Sequence, residues 1–334
     1  MKIVIRAPNW IGDSILALPA MYSLSKNYPE AQIWIAARSW VKNIFNWFDF
    51  IEGTIALPDQ MHLKNLRKSA QDLKQFNFDT GVLFTNSFSS SLLFYMAKIP
   101  QRWGYATDSR RLLLTKGITV KKNRPASHQV HYYLSLLSSL GLKTYPPELS
   151  LPLNQEEKRN TKNLLKTLNV NLKNRLVLIN PGAFYGSAKR WPATHYAMLA
   201  NFLQERKKAN ILLIGSKDER MLAESIAANM KEKPIIMTGK TSLTQLIGLI
   251  HYADLLITND SGPMHIANAL RIPVIALFGP TDPVLTGPFQ EPFIVIKKES
   301  SCWPCPYREC PLDHRCMKNI TPEEVYRASQ KYLP

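Results

Sequence analysis

The chain has 334 residues, 45% of them hydrophobic and 20% charged, which excludes an intrinsically disordered chain and calls for two domains rather than one core. No run reaches the ~18 uninterrupted apolar residues of a membrane span. The formal net charge of +17 favours polyanionic partners such as nucleic acid, anionic lipid or a phosphorylated substrate.

In chain order, Lys2–Pro8 reads as a buried strand, Asn9-Trp10-Ile11-Gly12-Asp13 as a loop and Ser14–Asn27 as a helix. Arg6 and Asp13 interrupt what would otherwise pass for a signal peptide, and no small-residue cleavage site follows, so the reading is a cytoplasmic protein. Asp13 stands where a strand hands over to a helix. It is either a helix cap or a carboxylate presented at the carboxyl edge of a sheet. Gln32–Ala37 and Thr80–Phe84 continue the alternation. Lys64, Arg67 and Lys68 lie at helical spacing, and a second basic group (Lys98, Arg102, Arg110, Arg111, Lys116, Lys121, Lys122 and Arg124) surrounds only Asp108. Each group is a solvated face or a binding patch.

The polar stretch Pro146–Asn174, with its Pro-Pro pair and a helix rich in Lys and Asn, reads as a linker region. Beyond it, strands at Leu176–Ile179, Ile211–Ile214 and Pro234–Met237 alternate with helices at Pro192–Arg206, Glu219–Met230 and Thr244–His251. An apolar strand then ends at Thr258, the turn Asp260-Ser261-Gly262 follows, and a helix restarts at Met264–Leu270 with His265 on its first turn. A second apolar strand, Val274–Phe278, stops at Gly279-Pro280-Thr281-Asp282-Pro283. Thr321-Pro322-Glu323-Glu324 signals a last helix. Strands alternating with helices of this length predict an α/β chain with two doubly wound parallel sheets.

The loops after these strands carry the chemistry. Backbone N–H groups at Ser261 and Gly262, with the positive end of the following helix, favour an anion, although the same residues also suit a plain helix cap. Lys189-Arg190-Trp191-Pro192 places a basic pair before a helix, which suits a diphosphate or a solvated loop. Neither a Gly-x-Gly-x-x-Gly fingerprint nor a Walker loop is present, which argues against a dinucleotide-dependent dehydrogenase or epimerase and against a P-loop enzyme. All four cysteines, Cys302, Cys305, Cys310 and Cys316, fall in one short segment beside His314. Cys-x-x-Cys suits a structural zinc, but the later spacings match no common site, so local disulfides or free thiols are favoured over metal.

Asn9-Trp10-Ile11-Gly12-Asp13, Lys189-Arg190-Trp191-Pro192, Gly215-Ser216-Lys217-Asp218, Asn259 to His265 and Gly279 to Pro283 together resemble glycosyltransferase family 9, in the order the family shows them. The resemblance implies a GT-B fold: a Rossmann-like acceptor domain over 1–155, a Rossmann-like ADP-sugar domain over 172–320, and a final helix over 321–334 returning to the first domain across a cleft. It implies inverting, metal-independent transfer of heptose from ADP-heptose to the heptose/Kdo inner core of lipopolysaccharide, as the second heptose, with a sibling transfer of the first or a later heptose as the alternative. A basic nucleic-acid-binding protein is the alternative of another class, although no nucleic-acid partner is expected.

Residue by residue, the resemblance makes Asp13 the general base. Gly12, Lys189, Thr241, Asp260, Ser261, Gly262 and His265 become donor-binding residues, and Lys217 and Asp218 fall near an acidic donor position. No cofactor is expected for catalysis. Lys64, Arg67, Lys68, Arg110 and Arg111 are the expected contacts to an anionic lipid A–Kdo–heptose acceptor at the cytoplasmic face of the inner membrane.

Overall fold

A computed structural model of the chain describes residues 1–120 and 127–334; Lys121, Lys122 and Arg124 of the second basic group lie outside the described residues. The chain divides into two compact units, Met1–Pro152 and Leu153–Pro334.

The first unit runs β1 (Lys2–Arg6), α1 (Ile11–Leu16), α2 (Leu18–Asn27), β2 (Gln32–Arg38), β3 (Gly53–Leu57), α3 (Leu63–Lys74), β4 (Thr80–Leu83), α4 (Phe88–Met96), β5 (Gln101–Tyr105), β6 (Lys116–Ile118) and α5 (Gln129–Ser139). Its parallel sheet has the order β3-β2-β1-β4-β5-β6, with Ile3 of β1 paired to Ile33 on one side and Thr80 on the other. The single helix expected over Ser14–Asn27 starts earlier and divides at Ala17. Pro19, in the first turn of α2, has no N–H to continue the α1 ladder.

The second unit runs α6 (Gln155–Thr167), β7 (Leu176–Asn180), α7 (Ala193–Lys207), β8 (Asn210–Leu213), α8 (Arg220–Ala228), β9 (Ile235–Ile236), α9 (Leu243–His251), β10 (Leu255–Asn259), α10 (Gly262–Ala269), β11 (Val274–Phe278), α11 (Pro283–Thr286), β12 (Phe293–Lys297), α12 (Arg315–Lys318) and α13 (Pro322–Ser329). Its sheet, β9-β8-β7-β10-β11-β12, repeats the strand order of the first. β7, β10 and β11 are buried at every residue, because helices cover both faces of a parallel sheet. Each buried aliphatic side chain there contributes about 1.5–3 kcal/mol.

In both units the chain leaves the middle of the sheet in opposite directions, at β1/β4 and at β7/β10. The carboxyl ends of strands at such a reversal are where open α/β sheets bind ligands.

Two boundaries differ from expectation. The polar stretch after Pro146 contains α6, which belongs to the second unit. Thr161 of this helix seats its hydroxyl 2.0 Å from where a side chain on Gly248 of α9 would begin. The last helix, expected to return to the first unit, buries Val325 and Tyr326 in the second unit's core, and Tyr326 lies edge-on to Phe202 of α7.

Candidate functional site

Three residues at the ends of β7 and β10 shape the second unit's site. Asn180 donates through Nδ2 to Thr258 Oγ1 at 3.0 Å and to Ser261 Oγ at 2.8 Å. Ser261 is the N-cap of α10 by position, but its hydroxyl is held sideways and makes no capping bond. The opening turn of α10 therefore receives no side-chain acceptor from its cap.

Asn259 is fully buried and works on both sides of its amide. Oδ1 accepts from the Tyr196 hydroxyl at 2.9 Å and from the Trp191 backbone N–H at 3.3 Å, while Nδ2 donates to the Pro181 carbonyl at 2.7 Å. The segment between β7 and α7 is thereby fastened to β10. Burial, ahead of any neighbouring charge, holds the Tyr196 hydroxyl protonated.

That fastening delivers Lys189. Its Nζ lies 2.5 Å from Asp260 Oδ2, and the Thr281 hydroxyl donates to the same oxygen at 2.7 Å. Three strand-end loops thus converge on one carboxylate. Lys189 and Asp260 are 13% and 8% exposed, a depth at which removing one partner strands the other charge. An ammonium carries three donors and Asp260 takes one, so Lys189 is oriented with donors to spare for an anion. His265, on the opening turn of α10, is buried rather than solvated.

Thr241 lies two strands away, after β9, half-buried just before the capping box of Ser242 and Gln245. Of the residues after β8, Lys217 and Asp218 point to solvent, and Glu219 is the acid turned inward, 8% exposed. Its Oε2 accepts the Ser216 N–H at 2.7 Å, and a side chain on Gly182 would begin 1.9 Å from its Oε1. Sequence reasoning missed Glu219 because a capping-box acid three residues after a serine looks purely structural.

In the first unit, Asp13 is half-buried on the first turn of α1, just past the end of β1. It is not the helix cap. That position belongs to Trp10, with Ser14 N bonded to the Trp10 carbonyl at 2.9 Å. The preceding loop is gripped from below. Asn9 Oδ1 accepts from the buried Arg6 at 2.6 Å and from Arg38 at 3.3 Å, and its carbonyl accepts from Trp40 Nε1 at 2.9 Å. Burial first, then the neighbouring Arg38 charge, bring Arg6 down to about 9. On α5, Tyr133 is buried; burial, then the Asp13 charge, hold its hydroxyl protonated. Gly12 sits beside Asp13 on the same turn.

The basic candidates separate by burial. Lys64, Arg67 and Lys68 are exposed along α3, and Arg111 is exposed after β5. Arg110 is a correction to the expected acceptor patch. It is fully buried and donates to the carbonyls of Tyr105 at 2.8 Å and Thr85 at 2.6 Å, so it braces the loops after β4 and β5. Burial depresses it to about 10.

The four cysteines are unpaired and line one cavity of about 20 Å³ together with Ala188, Gly279 and His314. Of the two expected alternatives, local disulfides or free thiols, the structure shows free thiols. Among the described residues no group of three or more His, Cys, Asp or Glu side chains is arranged to hold a metal ion. The segment instead ties down the site's loops: Ala188 N donates to the Arg308 carbonyl at 2.9 Å, Cys305 N to Pro280 at 2.9 Å, and Trp303 Nε1 to Thr281 at 3.2 Å.

Residues 66–315 match the family model for glycosyltransferase family 9 (heptosyltransferase). The chain belongs to glycosyltransferase family 9. Among its relatives, the chain is 32% identical to a lipooligosaccharide heptosyltransferase 2 from Campylobacter jejuni, covering 100% of this chain and 98% of the relative. It is 30% identical to lipopolysaccharide heptosyltransferase 2 of Escherichia coli, with 89% and 88% covered. The structure of E. coli ADP-heptose lps heptosyltransferase II superposes with a TM-score of 0.86 at 28% identity, covering 100% of this chain and 98% of that one. The fold class is GT-B, with two Rossmann-like sheets, and this family 9 member is a heptosyltransferase. The family replaces the alternative reading of the chain as a basic nucleic-acid-binding protein. Among the described residues no helix is long and apolar enough to cross a membrane.

Proposed function

We propose that the chain transfers L-glycero-D-manno-heptose from ADP-heptose to the inner core of lipopolysaccharide, as the second heptose, with inversion. The observation that carries this reading is the Lys189–Asp260–Thr281 cluster beside the opening turn of α10, at the reversal point of the second sheet. A departing ADP needs its developing charge met. Lys189, the Ser261 and Gly262 N–H groups and the dipole of α10 supply that without a metal. Such preorganised donors are worth roughly 3–4 kcal/mol each in comparable sites. His265 and Thr241 complete the donor pocket in this reading, and Gly12 gives the donor close approach.

Asp13 acts as general base. It takes the proton of the acceptor hydroxyl as that oxygen attacks the anomeric carbon and the bond to ADP breaks in one in-line step. The support is its position at the reversal point of the first sheet, on a helix it does not cap. Lys64, Arg67, Lys68 and Arg111 meet the phosphates and carboxylates of a lipid A–Kdo–heptose acceptor at the cytoplasmic face of the inner membrane. Charge reversal on α3 is expected to raise the acceptor KM and flatten its salt dependence; an unaltered KM removes α3 from acceptor binding.

The deciding experiment supplies ADP-heptose with core acceptors truncated at successive sugars and measures ADP release. Release only with an acceptor that already carries one heptose is the expected result. Release with a Kdo-terminated acceptor, or only with a longer core, assigns the chain to a sibling step instead.

A further inference from the structure

The cysteine segment takes no part in the chemistry above, yet its backbone is pressed against the arm that carries Lys189. Gly186 lies so close to the Arg308 carbonyl that a side chain there would begin 2.1 Å from the oxygen, and Ala188 donates its N–H to the same oxygen. Tyr185 is fixed from the other end, its hydroxyl donating to the Pro306 carbonyl at 2.9 Å. The segment and the arm are thus joined at Tyr185, Gly186 and Ala188.

The Tyr185 ring then carries two cations. Lys189 Nζ lies 5.1 Å from its centroid and the Arg308 guanidinium carbon 5.3 Å. Two like charges around one aromatic ring repel, and Asp260 is already engaged by Lys189 and Thr281. Arg308 therefore brings positive charge beyond what the local carboxylate neutralises. A ligand with two or more negative charges in a compact group relieves that repulsion. Arg308 is exposed, and a guanidinium lying against a ring keeps its in-plane N–H fork available for phosphate oxygens.

We propose that Arg308 is a second cation for the diphosphate of a nucleoside-diphosphate ligand, presented beside Lys189 by the cysteine segment on the platform of Tyr185. This gives the cysteine segment a role in donor binding, through one arginine and the loops it ties down. It rests on the reading that the Lys189–Asp260 cluster receives the donor diphosphate, and the experiment separates the two.

The test is calorimetric titration of the full chain with ADP and with adenosine, for wild type, Arg308→Ala, Arg308→Lys and Lys189→Ala, with thermal melts to confirm folding. Loss of one charge-assisted contact predicts ADP affinity roughly tenfold weaker for Arg308→Ala. Adenosine affinity stays within about twofold, and Arg308→Lys falls in between because it keeps the charge and loses the fork. Wild-type ADP affinity in Arg308→Ala, beside a weakened Lys189→Ala, overturns the proposal and leaves the diphosphate site standing. Wild-type affinity in both variants overturns the site as well. Equal losses for ADP and adenosine also overturn the proposal, since Arg308 would then act on the shape of the loop and not on phosphate.

Discussion

The loop after β1 and the loop after β10 occupy the same place in two sheets of identical strand order, and they are built in opposite ways. After β1, two arginines lie beneath the chain and hold Asn9, and the group presented is a carboxylate, Asp13. After β10, asparagines lie beneath the chain, and the groups presented are backbone N–H and an oriented ammonium. Buried Arg6 and half-buried Arg38 under one loop and neutral amides under the other let one topology present a carboxylate in the first unit and N–H donors with an ammonium in the second, the base and the anion clamp of the proposed reaction. The strand order selects the location; the side chains behind the loop select the sign of the chemistry.

The sharpest way to break this comparison is Asp13→Asn. A positioned general base contributes about 10²–10⁴ in rate, so turnover should fall by that factor while ADP affinity and the melting temperature stay near wild type, since Asp13 caps nothing. Undiminished turnover would reduce Asp13 to a surface acid of α1.

Lys189→Ala should act on the other half. Donor affinity, read by calorimetry with ADP-heptose, is expected to drop tenfold or more. Stability should also fall, by about 3 kcal/mol, because Asp260 is left buried beside Thr281 alone. Intact donor affinity would remove Lys189 from the clamp.

Tyr133→Phe sharpens the first half. Its hydroxyl is coupled to the Asp13 charge, so the variant is expected to lose roughly tenfold in kcat with an unchanged donor KM, and to lose nothing further in an Asp13→Asn background. Additive losses in the double variant would show that Tyr133 supports the fold rather than the acid.

The smallest effect concerns pH. Burial, then the nearby Lys158 charge, depress His251 below its ordinary value of 6.5. The unfolded chain then takes up that proton first on acidification, so this histidine contributes a loss of stability as pH falls through and below 6.5. His251→Asn should flatten the melting curve against pH in that window; an unchanged slope would assign the acid sensitivity to other groups.

Much of this was legible in the residues. β7, β10 and β11 are continuous apolar runs because both faces are covered, and the loops that follow them stand out by contrast. β3, β5, β6 and β12 were not picked out. The edge strands β3, β6 and β12 are only partly buried; β3 and β6 carry mixed residues, whereas β12 is an apolar run from Phe293 to Ile296, and β5 opens with an exposed Gln101 and a half-buried Arg102. Arg110 read as surface charge because a basic pair beside a turn is usually solvated, and only the fold supplies the carbonyls that hold it inside. Arg308 carries no signal of its own in the sequence, because a single arginine in an exposed loop has the pattern of a solvated charge.

The docking of α6 on α9 bears on how this protein can be divided. The polar stretch after Pro146 invites a cut near residue 172, but such a cut would strip the helix whose Thr161 fills the notch left by Gly248. Protease trimming or gene dissection that respects the fold should part the chain near Pro152 and Leu153. A fragment begun there keeps its outer wall, whereas one begun twenty residues later carries a bare apolar groove along α9 and a tendency to stick to itself.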